Sequence, residues 1–312
     1  MTDAAFPPPP PQSATEFDLP PAVGEPVEYH AVAEAAESAA VDAEPQAEVR
    51  PGRYPLPRVI AVANLKGGVG KTTTTINVGA ALADLGQRVL IIDIDPQANA
   101  SSGLGIERGL DTSMYHVLLH DVALQDCIEP TGIKGLFIAP AHLELAGAEI
   151  ELVPAFSRET RLNRALDAII DDYDYVLIDC PPSLGLLTVN ALSAAHEVLV
   201  PIQCEYYALE GVGQLIPTVE RIQQNLNQRL QLTTIVCVMY DGRTKLSSDV
   251  VKEIRSYFGD KVLRTVVPRS VRIAEAPSRG QPVTISHPHS FGALAYRDVA
   301  KEIHDESTKR TG

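Results

Sequence analysis

From Arg58 onward the chain alternates short apolar runs with segments whose apolar residues recur every three or four positions. That alternation predicts βα units wound into an α/β fold, a mostly parallel twisted sheet with helices on both faces. Strands are expected at residues 59–63, 88–93, 136–139, 175–179, 198–202, 234–239 and 262–267. Residues 208–227 place Leu209, Val212, Leu215, Ile216, Val219, Ile222 and Leu226 on one helical face. Pro217 is expected to kink or divide that helix, because it has no N–H to donate and crowds the preceding turn. A further helix is expected over Leu162, Ala165, Leu166, Ile169 and Ile170, with Ser157 as its cap.

Residues 1–57 break the pattern. They hold half of the 24 prolines, Pro7 through Pro11 among them, with Ala and Glu filling much of the rest. Such a segment buries too little apolar surface to offset its ordering entropy, so it is expected to be disordered, with at most a transient helix over 32–40. The chain is therefore divided into a tail, 1–57, and one folded domain, 58–312. Ten acids against Arg50 and Arg53 give the tail about eight of the net −14 charges. Three readings of it stay open: a solubilising extension, a docking segment for a polar or other protein partner, and an acidic competitor of a basic surface.

No run of about 18 apolar residues is present to span a bilayer, and the N-terminus lacks the basic and apolar regions of a secretory signal. A cytoplasmic chain without membrane insertion is expected. Cys127, Cys180, Cys204 and Cys237 are scattered with no C-x-x-C pair, which counts against zinc or an iron–sulfur cluster and suits reduced residues in or near a core.

Three stretches carry chemistry. The first is Leu65-Lys66-Gly67-Gly68-Val69-Gly70-Lys71-Thr72-Thr73, set between a strand pattern and a helical one that begins at Thr74. Glycines let backbone N–H groups approach an anion, the helix start presents its positive end, Lys71 neutralises charge and Thr72 can hold Mg²⁺. A nucleoside triphosphate is the expected ligand. The second stretch ends a buried strand with Asp93 and Asp95, two residues apart and on one face if the strand stays regular. Paired acids beside a triphosphate can handle metal and water, Asp93 being the metal-side candidate. In the third, an apolar run ends at Asp179, placed to accept from Mg²⁺-bound water or from the Thr72 hydroxyl. The following residues, Pro181 to Gly185, read as a stiff loop able to sense the γ-phosphate.

Leu65 stands where the general phosphate-loop pattern has its first glycine, and Lys66 follows it. With that second lysine the chain resembles the deviant Walker A ATPases, the P-loop NTPase group of ParA, MinD and the nitrogenase iron protein. The resemblance covers nearly all of 58–303 and is narrowed to chromosomal ParA (Soj) proteins by Leu145-Ala146-Gly147-Ala148-Glu149, Cys180 to Gly185, Gln203 to Gly211 and Val271 to Ser278. It implies an ATPase that uses ATP and Mg²⁺, dimerises on ATP, binds nucleoid DNA without sequence preference and is reset when the centromere-binding protein ParB stimulates hydrolysis. It also implies that Lys66 reaches the phosphates of the second subunit, that Asp95 positions or activates water, and that Arg243 and Arg272 contact DNA.

Charge distribution bears on the DNA reading. From Arg229 onward, basic residues outnumber acids to leave about +5, a basic region on an acidic chain. Two rivals share the motifs. A MinD-like ATPase that cycles on membranes for division-site placement needs an amphipathic end, yet residues 300–310 lack a wide apolar face and aromatic anchors. A metabolic P-loop enzyme is supported by fold analogy alone.

Overall fold

The computed structural model describes residues 54–106 and 110–308; the expectations for residues 1–53, and Lys309 and Arg310, lie outside the described residues. Its strands are β1 (Tyr54–Pro55), β2 (Arg58–Val62), β3 (Val89–Asp93), β4 (Glu129–Pro130), β5 (Leu136–Ala139), β6 (Tyr175–Asp179), β7 (Glu197–Gln203), β8 (Gln231–Tyr240), β9 (Val262–Pro268) and β10 (Ser307–Thr308). Its α-helices are α1 (Lys71–Asp84), α2 (Asn99–Gly103), α3 (Met114–Leu119), α4 (Leu145–Glu151), α5 (Arg161–Asp167), α6 (Leu186–Ala194), α7 (Glu210–Asn225), α8 (Lys245–Phe258), α9 (Val271–Glu275), α10 (Val283–Ser286) and α11 (Phe291–Asp305).

Eight strands form one sheet in the order β4-β5-β3-β6-β2-β7-β8-β9, parallel throughout except for the edge pair β4–β5. The seven expected strands are its parallel members. Period-two alternation in β2 sends Val59 and Ala61 to one face and Ile60 and Val62 to the other, each joining a separate apolar cluster. Helices α1 and α11 pack together over one face, and α4, α5, α6 and α7 contribute to the cluster on the other. Because β3 lies to one side of β2 and β7 to the other, the strand order reverses at β2. Open sheets bind ligands outside the carboxyl ends of their strands at such a point.

Two expectations are corrected. Of the two outcomes expected at Pro217, a kink or a division, division does not occur: α7 runs from Glu210 to Asn225 with the proline inside it. The proline is solvent-exposed, and the buried face of Val212, Leu215, Val219 and Ile222 keeps the helix together. Ser157 does not cap α5, which starts at Arg161 after Thr160; Ser157 lies in a left-handed turn at φ 51°, three residues before that flanking position.

At the opposite, amino-terminal edge of the sheet, Arg58 forms a bidentate pair with Glu197 at 2.7 and 2.6 Å. The two side chains are 1% and 4% exposed. Thr233 also donates to Glu197 at 2.8 Å, and Arg58 reaches the Ile303 carbonyl and Ser307. One buried pair thus joins β2, β7, β8 and the end of α11. Burying charge is costly unless it is matched, so removing one partner is the damaging change. Glu197→Ala is expected to lower the free energy of urea unfolding by about 3–5 kcal/mol, and Arg58→Met with Glu197→Met to recover most of the loss. Equal losses in the two variants would show that the pair does more than match its own charges.

Candidate nucleotide site

The loop after β2 turns on two glycines in the left-handed region, Gly68 at φ 74° and Gly70 at φ 79°, where a side chain would be strained. Gly70 immediately precedes α1, whose 14 residues begin with Lys71. The helix therefore starts before Thr74, where its apolar periodicity begins. Gly67, Gly68, Val69, Gly70, Lys71, Thr72 and Thr73 form a loop running directly into a helix N-terminus, where free N–H groups and the positive end of the helix dipole favour an anion.

The two lysines have different surroundings. Lys71 is 7% exposed, and its Nζ donates to the Lys66 carbonyl at 3.3 Å. Burial lowers its pKa, and the nearby Asp179 opposes that shift. Lys66 is half-buried, and the backbone, not the side chain, supplies its bonds: its N–H donates to Asn64 Oδ1 at 3.0 Å.

Asp179 ends β6 and is fully buried. It accepts from Thr72 Oγ1 at 2.7 Å and from Thr75 Oγ1 at 3.0 Å, so two hydroxyls of the start of α1 converge on one carboxylate. Asp93 ends β3 directly beside it in register. Its oxygens accept from the Ser101 N–H at 2.9 Å, the Ser101 hydroxyl at 2.7 Å and the Asp95 N–H at 3.2 Å. The metal-side residue of the sequence reading thus has both oxygens bonded within the fold. The strand does not stay regular to Asp95: it stops at Asp93, and Asp95 begins a turn in which its carboxylate accepts from Gln97 N at 3.0 Å. Asp95 is 7% exposed and close enough to Lys71 to act on its charge.

Three buried acids and one buried lysine make the site rich in negative charge. Burial, countered by the Ser101 bonds and supported by the Asp95 charge, pushes the Asp93 carboxyl up to about 6. Burial and then repulsion from Asp93 push Asp179 up to about 8. Among the described residues no three His, Cys, Asp or Glu side chains converge to cage a metal. Mg²⁺ keeps most of its waters and takes one or two protein ligands beside phosphate oxygens. Thr72 with Asp179 fits such an ion.

Arg243 and Arg272 follow the carboxyl ends of the neighbouring strands β8 and β9, on the edge that carries the phosphate loop. Arg272 is exposed on α9. Arg243 is 88% exposed but holds Asp241 in a bidentate pair at 2.9 and 2.7 Å, which keeps that acid down at about 2. Sequence reasoning missed Ser101, Thr75 and Asn64. Only Thr75 had a local signal, one helical turn beyond Lys71; Ser101 and Asn64 owe their roles to tertiary folding.

A family model described as an AAA domain matches residues 57–232. The sporulation initiation inhibitor protein Soj of Bacillus subtilis is 53% identical over 247 residues, 79% of this chain and 98% of its own length. The chromosome partitioning protein ParA of Caulobacter vibrioides is 51% identical over 249 residues, 79% of this chain and 93% of its own. Among solved structures, a Mycobacterium smegmatis protein described as cobyrinic acid a,c-diamide synthase, with bound ADP and magnesium, is 42% identical at a TM-score of 0.70. That match covers 79% of this chain and 93% of the other.

The excess of buried acids yields a stability prediction. Both raised carboxyls bind protons more tightly folded than unfolded, where the ordinary value is 3.8. Their contribution to stability is full below that value and is lost as pH rises toward about 8. Asp179→Asn keeps the shape and removes one like charge. At pH 8 without nucleotide, its thermal midpoint should exceed wild type by about 2–4 °C for each kcal/mol relieved, a gain that shrinks toward pH 4. A lower midpoint at pH 8 would mean that the threonine bonds to a charged Asp179 outweigh the repulsion.

Proposed function

Because the chain belongs to the Soj/ParA family of chromosome-partitioning ATPases, we propose that it hydrolyses ATP with Mg²⁺, dimerises on ATP, binds nucleoid DNA without sequence preference and is reset by a ParB-type centromere-binding protein. The observation that carries this reading is the contrast between the two loop lysines. Lys71 is buried within the phosphate loop; Lys66 is half-buried with its backbone fixed, as a residue serving a second subunit would be.

The reaction is in-line attack of water on the γ-phosphate, where positioning and charge neutralisation supply most of the catalysis. Lys71 and the loop amides hold the phosphates, and the second subunit's Lys66 completes the charge around them. Asp95, at the mouth of β3, orients or activates water. Thr72 and Asp179 would hold Mg²⁺, which when bound neutralises phosphate charge. Asp93 is assigned the inner support of this set, since Ser101 and the Asp95 amide occupy its oxygens. Arg243 and Arg272 are the proposed DNA contacts, with Arg243 exchanging Asp241 for phosphate. The site of action is the cytoplasm, on the nucleoid.

A membrane-cycling reading is disfavoured by the final helix. The apolar face of α11, with Ala293, Tyr296, Val299, Ala300 and Ile303, is buried within the domain, where α11 packs on α1 and β9. Among the described residues no helix is long and apolar enough to cross a membrane. The description of the Mycobacterium smegmatis protein supports a second reading, an ATP-dependent ligase on the same fold, but a shared fold does not carry the chemistry of its sites.

ATP turnover of the purified protein with and without duplex DNA and the candidate ParB separates these readings. Stimulation by the two together is expected. Arg272→Ala should keep ATP binding yet weaken DNA binding alike on unrelated duplexes, lowering the slope of log affinity against log salt by about 0.9 for each phosphate no longer neutralised. Turnover that needs a small-molecule acceptor and ignores DNA would favour the ligase, and ATP-dependent sedimentation with anionic liposomes without DNA binding would favour the membrane reading.

A further inference from the structure

Lys66 must place its ammonium accurately if it is to serve another subunit, and its four-carbon side chain makes that costly in entropy. Its backbone is held by one neighbour. Asn64, 2% exposed just beyond β2, accepts the Lys66 N–H on Oδ1 at 3.0 Å and donates from Nδ2 to the Pro201 carbonyl of β7 at 2.9 Å. Both ends of this buried amide are used, and a buried amide is costly to leave unpaired.

The first turn of α7 closes over the same point. A Cβ added to Gly211 would lie 2.3 Å from Asn64 Oδ1, 3.3 Å from its Cγ and 3.1 Å from Lys66 Cβ. Only a hydrogen fits there. Just before α7, Tyr207 sits at φ 65°, a left-handed conformation that costs a non-glycine residue free energy and persists only where surrounding packing enforces it.

We propose that Asn64 is the positioning residue for Lys66: its amide ties the Lys66 backbone to β7, and Gly211 at the start of α7 holds that amide in place. This rests on the cross-subunit role of Lys66 given above and goes beyond it in naming what aims the lysine. Asn64 acts on pairing through Lys66, whose carbonyl also accepts from Lys71 Nζ at 3.3 Å. Through the approach of Gly211 to Asn64, the segment from Glu205 to Gly211, which exposes Tyr206 and Tyr207, would then bear on subunit pairing.

The test measures Mg-ATP-dependent dimerisation by analytical ultracentrifugation and, separately, ATP affinity of the dilute monomer. Asn64→Ala and Gly211→Ala should each weaken the dimer about tenfold or more while monomer affinity changes by less than about threefold. Gly211→Ala should add less in the Asn64→Ala background than in wild type, since the clashing oxygen is gone and only the 3.1 Å approach to Lys66 Cβ remains. Asn64→Ala should likewise add little in the Lys66→Ala background, since both act through one group. Wild-type dimerisation in Asn64→Ala, an equal loss of monomer ATP binding, or full additivity with Lys66→Ala would overturn the proposal. A wild-type protein that stays monomeric in Mg-ATP would overturn the cross-subunit reading and this inference with it.

Discussion

Three buried carboxylates, two of them close enough to act on one buried ammonium, set the terms for this fold. Asp93, Asp95 and Asp179 arrive on the carboxyl ends of β3 and β6, strands that must be apolar along their length because both faces of the sheet are covered. The hydrogen bonds from Ser101, Thr72 and Thr75 hold these acids in place without cancelling their repulsion. What lowers the energy of such a site is positive charge, and the loop between β2 and α1 sits where a cation bound to phosphates would supply it. The same excess of negative charge that costs the folded chain stability is what a metal–phosphate complex would offset on the proposed reading.

The sheet order makes this arrangement possible. Reversal at β2 leaves room for a ligand at the head of α1, and the in-register pairing of β3 with β6 brings Asp93 alongside Asp179. On the other side of β2, β7 supplies the Pro201 carbonyl that anchors Asn64. On the proposed reading the two flanks of the central strand would have separate tasks: one gathers the acids proposed to serve metal and water, the other steadies the lysine proposed to act across the subunit boundary. At the far edge, the Arg58–Glu197 pair fixes β2 against β7, so both ends of the central strand are pinned to the same neighbour.

The sheet was legible because a strand buried on both faces has little choice but Val, Ile, Leu and Ala, and each such run lay between turn or helix signals. The phosphate loop and the acids at strand ends were legible because their residue types and spacing are local. What stayed hidden depended on chain segments far apart in sequence. Nothing near Asp93 announces that Ser101 will turn back onto it, nor does Arg58 reveal a partner 139 residues away. Gly211 reads as an ordinary helix residue until Asn64 is seen beneath it. Local rules also misled where tertiary packing overrode them, as in the misplaced cap at Ser157 and the turn that takes Asp95 off the strand.

The central claim is that each ATP site is shared, with Lys66 from one subunit and Asp95 from the other. Mixing two variants tests it most directly. Lys66→Ala and Asp95→Ala should each hydrolyse ATP poorly alone, under whatever DNA and ParB conditions activate the wild type. In an equal mixture, at protein concentrations where sedimentation shows that both variants are fully paired in Mg-ATP, random pairing makes half of the dimers mixed, and each mixed dimer holds one intact site by two-fold symmetry. Turnover should therefore recover to about a quarter of the wild-type rate. A mixture no more active than its components would contradict the shared site and place Lys66 and Asp95 in service of the same subunit.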